Sequence, residues 1–338
     1  VLLELFATGI AGILQVPEES FDKAVTYLRI CSGGILVIIA YNVISSVLRG
    51  VGNAKLPFIF VCIACVVNIV GDLFFVAVLG LDAAGAAIAT VLAQFVSVVV
   101  SLPVMKHQNL PFSFSLKRIK IHPNKTKRIV SVGVPIAVQE AMVQVSFLVI
   151  NSIVNNMGLM PSAGYGVAQK LVSFIMLIPS TVMQSVSAFV AQNIGAGNPK
   201  RAKQGFYTTV VTGCCLGALI FCMGFFKGDL MSAMFTNETD VIAQSAAYLK
   251  GFSAECILTC ILFGSIGYFN GSGKSLPVMI QGIASAFLIR IPVATFMSRL
   301  PDTSLTYIGM ATPITTFCGI IFFLVCFRIY GKKEKKGL

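Results

Sequence analysis

Charge is scarce in this sequence. Asp, Glu, Lys and Arg make up 11% of its 338 residues, where a soluble globular chain carries roughly a quarter, so an ordinary water-facing surface is excluded. Acidic residues number 13 and histidines only two. Both histidines, His107 and His122, lie in one basic segment between apolar runs, so a histidine-based metal or catalytic site at membrane depth is not expected. No paired carboxylates and no nucleophile–base pattern stand inside the apolar runs, and no enzyme activity is expected. A secretory signal peptide is also missing, and Val1 in place of Met points to truncation or processing ahead of it.

Apolar length is what the sequence has in quantity. Hydrophobic residues reach 56% and mean hydropathy is +0.88. Runs at 28–48, 57–79, 83–105, 129–154, 163–190, 205–227, 241–269, 276–298 and 306–328 each approach or exceed the ~20 residues a helix needs to cross ~30 Å of hydrocarbon. Nine complete spans are therefore expected in an all-α, polytopic membrane protein. The net charge of +12 is a topology signal. Basic residues gather in alternate loops (Arg49, Lys55, Lys106, Lys117, Arg118, Lys120, Lys200, Arg201, Lys203, Lys274) and after Arg328, while the other loops carry Glu18, Glu19, Asp22, Asp82, Asp229, Glu238, Asp240 and Asp302. By the positive-inside rule the basic loops and the C-terminus are cytoplasmic, in the cell membrane. Without interleaved stacking aromatics this charge does not suit nucleic acid; anionic lipid headgroups are its expected neighbours.

One segment occurs twice. Tyr27-Leu28 and Gly50-x-Gly52 recur as Tyr248-Leu249 and Gly271-x-Gly273 at a constant offset of 221 residues, each followed by a proline, Pro57 and Pro277. A parallel duplication explains this, and projecting it backward predicts two spans and most of a third ahead of Val1. The expected organisation is two parallel six-helix lobes. Residues 1–106 hold the end of helix 3 and helices 4–6 of the first lobe, 107–127 the cytoplasmic linker, 128–330 the second lobe with helices 7–12, and 331–338 a basic tail.

Several motif matches lack their context. The ten cysteines all lie in apolar runs, as small packing residues, and Cys62-x-x-Cys65 has no second pair or histidine nearby. Gly271-Ser272-Gly273-Lys274-Ser275 resembles the end of a P-loop, yet Tyr268 stands where its first glycine belongs and a membrane span precedes it. Asn237-Glu238-Thr239 is a glycosylation acceptor sequence on the outer side.

Polar residues inside the spans carry the functional reading, because ionisable groups at membrane depth are costly unless paired, protonated or wet. Asn68 and Asp72, four apart, share one helix face. If the next helix returns about Leu81, Thr90 comes level with Asp72 and Gln94 with Asn68, roughly 10–15 Å deep at 1.5 Å per residue. A hard cation or a proton would fit there; an interhelical hydrogen-bond cluster is the structural alternative. The second half lacks this cluster, since Asp72 maps to Pro292 and Asn68 to Leu288. It holds Glu140, Lys170, Glu255 and Arg290 instead, with Gln139, Gln144, Asn151, Gln169 and Gln184 nearby. These are candidates for substrate contact or charge pairing. Glu255 and Arg290 should meet across the hairpin that turns near residue 272, and Lys170 should help to neutralise Glu140.

Leu48-Arg49-Gly50-Val51-Gly52-Asn53 with Pro57, Asn68-x-x-x-Asp72, Gly85-Ala86-Ala87-Ile88-Ala89-Thr90 and Gln192-Asn193-Ile194-Gly195-Ala196-Gly197 with Arg201-Ala202 resemble a multidrug and toxic compound extrusion (MATE) transporter, across essentially the whole chain. The resemblance implies two six-helix lobes around a cavity, alternating access, and export of amphipathic, mostly cationic compounds by a monomer, against inward H+ or Na+ and with no other cofactor. It assigns the first-lobe cation site to Asp72, Asn68 and Thr90, with a further aspartate expected on the first helix. Glu140 and Glu255 lie on the helices where sodium-coupled members use acids, but about one turn away, which tilts the expectation toward proton coupling through the first lobe. Phe147, Met176, Met183 and Phe189 are candidate drug-contacting surfaces. A flippase for lipid-linked oligosaccharides, from the same wider superfamily, is the alternative; it calls for several basic residues in the cavity, and only Lys170 and Arg290 are available.

Overall fold

The computed structural model of the chain describes residues 7–9, 18–107, 122–301 and 303–335. Among them all regular structure is helical. Contacts divide the chain into two compact units, Val1–Lys120 and Ile121–Leu338. Among the described residues seven helices are long and apolar enough to cross a membrane, or nine if each of two bent pairs is one span. These nine correspond to the nine apolar runs of the sequence.

The first unit contains α1 (Glu18–Gly33), α2 (Ile35–Gly50), α3 (Lys55–Asp72) and α4 (Asp82–His107). α1 and α2 form one span bent by 58°. The bend falls on Gly33-Gly34, where two weak helix formers in succession let the axis turn without a side-chain clash. α3 runs directly into a π-helical stretch, Leu73–Val78, whose wider turn carries one extra residue. The chain then reverses at Gly80 (φ +65°). Gly71 abuts Ala89 and Gly85 abuts Phe75, so the antiparallel pairing centres on Gly80 and not on Leu81. A methyl group at Gly71 would lie 2.9 Å from the Ala89 Cβ, which is why the close crossing of α3 and α4 needs glycine there. The core of this unit is Tyr41, Ile44, Leu48, Phe60 and Met105. Leu36, Phe58, Val66, Leu73 and Val78 point outward, as lipid-facing residues do.

The second unit comprises α5 (Pro123–Asn155), α6 (Leu159–Ile175), α7 (Leu177–Gly195), α8 (Pro199–Phe226), the short α9 (Gly228–Ser232), α10 (Thr239–Phe252), α11 (Glu255–Gly271), α12 (Leu276–Ala284), α13 (Ile291–Ser298) and α14 (Leu305–Lys335). A second π-helical stretch, Ser285–Arg290, joins α12 to α13. α10 and α11 form the other bent span, at 48°. Just before this bend the Ser253 hydroxyl donates to the Leu249 carbonyl at 2.6 Å, a local bond that competes with the helical ladder. α11 is the most enclosed helix of the unit. Gly267 and Gly271, one turn apart, set their bare Cα atoms against the carbonyls of Met183 and Ser187 on α7, a small-residue seam of the kind that membrane helices use to approach closely.

Both marks of the duplication persist in three dimensions. The bends fall at Gly34 and at Ser253-Ala254, within two residues of one repeat offset. Gly52 (φ 89°) and Gly273 (φ 71°) close their helices with the same bond, Asn53 N–H to the Leu48 carbonyl and Lys274 N–H to the Phe269 carbonyl, both 2.9 Å. This pairing of a left-handed residue with a six-to-one bond is a Schellman cap. Two expected boundaries move. α5 begins at Pro123, inside the expected 107–127 linker, because proline is pre-set for the first helical position and its missing N–H is not needed there. α14 extends to Lys335, so the expected 331–338 tail starts as helix. Residues 108–121, the greater part of the linker, lie outside the described residues, as do 336–338 and most of 1–17.

Candidate functional site

In the first unit, the polar cluster forms where α3 crosses α4. Asn68 and Asp72 sit one turn apart on α3, Thr90 and Gln94 one turn apart on α4, and all four are partly buried. The crossing at Gly71 and Ala89 places Asp72 and Thr90 immediately beside the contact. With the reversal centred on Gly80, Asp72 is level with Ile88, and Thr90 stands ~3 Å further along the axis, at 1.5 Å per residue. Asn68 Nδ2, Asp72 Oδ1 and Gln94 Oε1 are buried with no hydrogen-bond partner. The Thr90 hydroxyl donates to the Ala86 carbonyl at 2.9 Å, which leaves its lone pairs available. Tyr27, from α1, approaches Thr90, and its hydroxyl is within electrostatic reach of Asp72. Sequence reasoning used Tyr27 only as a mark of the repeat. Carboxylate, amide and hydroxyl oxygens thus gather at one helix crossing, a donor set suited to a hard cation or a shared proton.

In the second unit a cavity of about 330 Å³ opens between α5, α6, α7, α11, α12, the π-helical stretch and α14. Gln139, Glu140, Gln144, Glu255 and Arg290 all line it. Gln139, Glu255 and Arg290 are deeply buried, and Glu140 is at the exposed rim. Of the apolar candidates Phe147, Met176 and Met183 line it; Phe189 packs instead against Gly205. Thr259, Gln281, Ser285, Thr312 and Thr316 also face the cavity and were not singled out from the sequence. Short hydroxyl side chains are common packing residues in membrane helices, so nothing in their spacing distinguishes them before the packing is known.

Two charge pairings differ from expectation. Glu255 and Arg290 share the cavity but form no ion pair; among the described residues the ion pair within 4.0 Å is Lys23–Asp82 at 2.9 Å. The Thr316 hydroxyl, from α14, donates to Glu255 Oε1 at 2.8 Å. Arg290 Nη1 donates to Ser146 Oγ at 3.0 Å, and its guanidinium stacks 4.6 Å from the centre of the Phe147 ring. A simple hairpin between the two does not form because the spans are not straight: the α10–α11 bend sets Glu255 at the first turn of α11, and α14 packs against both α11 and the π-helical stretch. Lys170 does not neutralise Glu140, since it projects from the exposed side of α6 and does not line the cavity.

Glu255 opens α11, whose first N–H groups, those of Cys256, Ile257 and Leu258, are already bonded to the Ser253 and Ala254 carbonyls. Glu255 Oε2, with Arg290 Nε, is buried without a hydrogen-bond partner, while Thr259 approaches Glu255 and Thr312 approaches Tyr248. Tyr248, the repeat copy of Tyr27, lies behind this wall within electrostatic reach of both charges. It packs edge-to-face on Tyr165 at 5.1 Å.

Comparison with known proteins bears on these sites. The MatE family model matches residues 1–74 and 135–296. The chain is 30% identical, over 85% of its length, to the probable multidrug resistance protein YpnP of Bacillus subtilis, and spans 64% of that relative's length. It is 24% identical over 98% of its length to the multidrug export protein MepA of Staphylococcus haemolyticus, of which it spans 72%. Among solved structures it superposes with a TM-score of 0.90 on a MOP superfamily transporter from Pyrococcus furiosus, at 17% identity, covering 99% of this chain and 76% of that one. An outward-facing multidrug resistance MATE family transporter gives 0.87 at 17% identity, covering 97% and 76%.

Proposed function

The chain belongs to the MatE family and is a multi-pass membrane protein, and from that premise we propose that it exports amphipathic, mostly cationic compounds across the cell membrane by alternating access, driven by cation influx. H+ is the favoured coupling ion and Na+ the alternative. The protein acts as a monomer with its C-terminus in the cytoplasm. The observation that carries this reading is the first-unit crossing, where Asp72 Oδ1, Asn68 Nδ2 and Gln94 Oε1 are buried without partners beside Thr90. Buried polar atoms in native proteins are nearly always satisfied, so this cluster is shaped for an occupant. Asp72 takes up the ion from the outer side and releases it when the site opens inward and wets; Asn68 and Thr90 support it. The second-unit cavity, with its carboxylates and its Phe and Met surfaces, receives the substrate.

The flippase reading calls for a basic cavity. Among the described residues Arg290 is the one Lys or Arg that lines this cavity, beside the carboxylates of Glu140 and Glu255, which is too few basic groups for a pyrophosphate. The test uses protein expressed from its complete gene in proteoliposomes, with ethidium efflux driven by an imposed proton or sodium gradient. Asp72→Asn should insert and fold, since the amide keeps the shape, and should lose gradient-driven efflux. Normal efflux by Asp72→Asn under a proton gradient would overturn the assignment.

A further inference from the structure

The second-unit cavity holds one buried cation and one buried anion that lie within electrostatic reach of each other but form no direct ion pair. Arg290 is 7% exposed and Glu255 is 4% exposed. Arg290 spends Nη1 on Ser146 and its face on Phe147, and its Nε has no partner. Glu255 accepts from Thr316 through Oε1, while Oε2 has none. On the same cavity wall Thr259 approaches Glu255 and Thr312 approaches Tyr248. A cluster of unsatisfied buried donors and acceptors around one cavity points to an occupant that offers both kinds of partner.

We propose that this cavity is a two-headed site for a small amphipathic zwitterion. Arg290 holds its carboxylate and Glu255 holds its ammonium, while Phe147, Met176 and Met183 cover the apolar body between them. A simple cation would satisfy Glu255 and leave a like charge, Arg290, buried beside it; a simple anion would reverse the fault. Only a ligand with both signs meets both groups, because a buried charge is tolerated when it is paired and hydrogen-bonded. Arg290 is suited to the carboxylate, since its planar fork still has a donor free along the Nε edge. The proposal rests on the reading of the cavity as a substrate chamber and narrows its substrate class.

The test is a matched ligand series measured by titration calorimetry on the purified protein in detergent micelles. The probes are 8-aminooctanoate, its methyl ester, which is only a cation, and its N-acetyl derivative, which is only an anion. The flexible chain lets the two ends adapt to the separation of Glu255 and Arg290. The zwitterion should bind at least tenfold more tightly than either derivative. Arg290→Gln should abolish its advantage over the ester, and Glu255→Gln its advantage over the N-acetyl compound. If a variant does not fold, the series on the unaltered protein decides alone. Equal affinity of ester and zwitterion, or no binding of any probe at millimolar concentration, would overturn the proposal. Loss of gradient-driven efflux without a change in this series would count against the transport reading only.

Discussion

Neutralising Glu255 and Arg290, singly and together, separates two pictures of the second-unit cavity. In a buried ion pair, removing one partner strands the other and costs about 3–5 kcal/mol, and removing both restores much of the loss. Here each group has its own neighbour: Thr316 on Glu255 at 2.8 Å, Ser146 on Arg290 at 3.0 Å and the Phe147 ring at 4.6 Å. Two unit charges 4 Å apart attract by about 4 kcal/mol at an effective dielectric of 20 and about 1 kcal/mol in water. Glu255 and Arg290 are farther apart than this and face a polar cavity, so their coupling should be about 1–2 kcal/mol. Glu255→Gln keeps an acceptor for Thr316 and removes an unsatisfied charge, and should be close to neutral. Arg290→Gln loses the stacking on Phe147, about 2 kcal/mol for a desolvated contact, and part of the bond to Ser146; about 2–3 kcal/mol is expected. The double variant should then fall short of the sum of the two by no more than this coupling, about 1–2 kcal/mol. Unfolding in mixed micelles, followed by circular dichroism across all four proteins, gives the cycle. A double variant more stable than Arg290→Gln by about 2 kcal/mol or more would show a direct pair and refute the argument.

Thr316→Val should cost about 1–3 kcal/mol, the penalty for leaving a buried acceptor unmet, and the same unfolding measurement on Thr315→Val, whose hydroxyl donates only to the Ala311 carbonyl, should show a smaller loss. Gly267→Ala should cost about 1–3 kcal/mol by overpacking the α7–α11 seam; unchanged stability would mean that the seam is looser than its backbone contacts with Met183 imply. Gly273→Ala should cost about 1–2 kcal/mol, because φ of 71° is a left-handed conformation that a Cβ opposes. Lys23→Ala should change stability by less than about 0.5 kcal/mol, since its bond to Asp82 joins side chains 61% and 65% exposed.

The spans were legible because hydrocarbon thickness sets a length that runs such as 57–79 and 306–328 meet plainly. The duplication was legible because Gly52 and Gly273 are confined to glycine by their backbone conformation. The first-unit cluster was approximately legible, since a tight antiparallel turn converts residue number into depth; the error was one residue in the turn centre, because the chain reverses at Gly80, whose φ of +65° suits glycine, and not at Leu81. The same arithmetic failed for Glu255 and Arg290. It assumes two straight neighbouring helices, and a bend at Ser253-Ala254 with α14 packed against both elements removes both conditions. Thr312 and Thr316 were not legible at all, because a threonine facing a cavity and one facing its own helix are alike in sequence.

The duplicated frame carries its chemistry asymmetrically. One repeat offset relates Gly34, at the first bend, to Glu255, just past the second, yet a Cβ at Gly34 would meet the Val91 side chain, whereas Glu255 has cavity around it. Conversely the copy of Asp72 is Pro292, two residues beyond Arg290. All three charges stand at irregular points of their helices: Asp72 at the entry to one π-helical stretch, Arg290 at the end of the other, Glu255 just past a bend. A charged side chain on a regular apolar helix must face lipid or displace a packed neighbour, and either is costly. At a bend or a π-turn the register shifts and backbone groups are freed, so room and polar partners are already present. The bends lie about one repeat offset apart, but the π-helical stretches do not, since Leu73–Val78 falls on 293–298 and the second stretch is Ser285–Arg290; each unit therefore sets its charges at its own irregular points, an acid in the first and an acid and a base in the second.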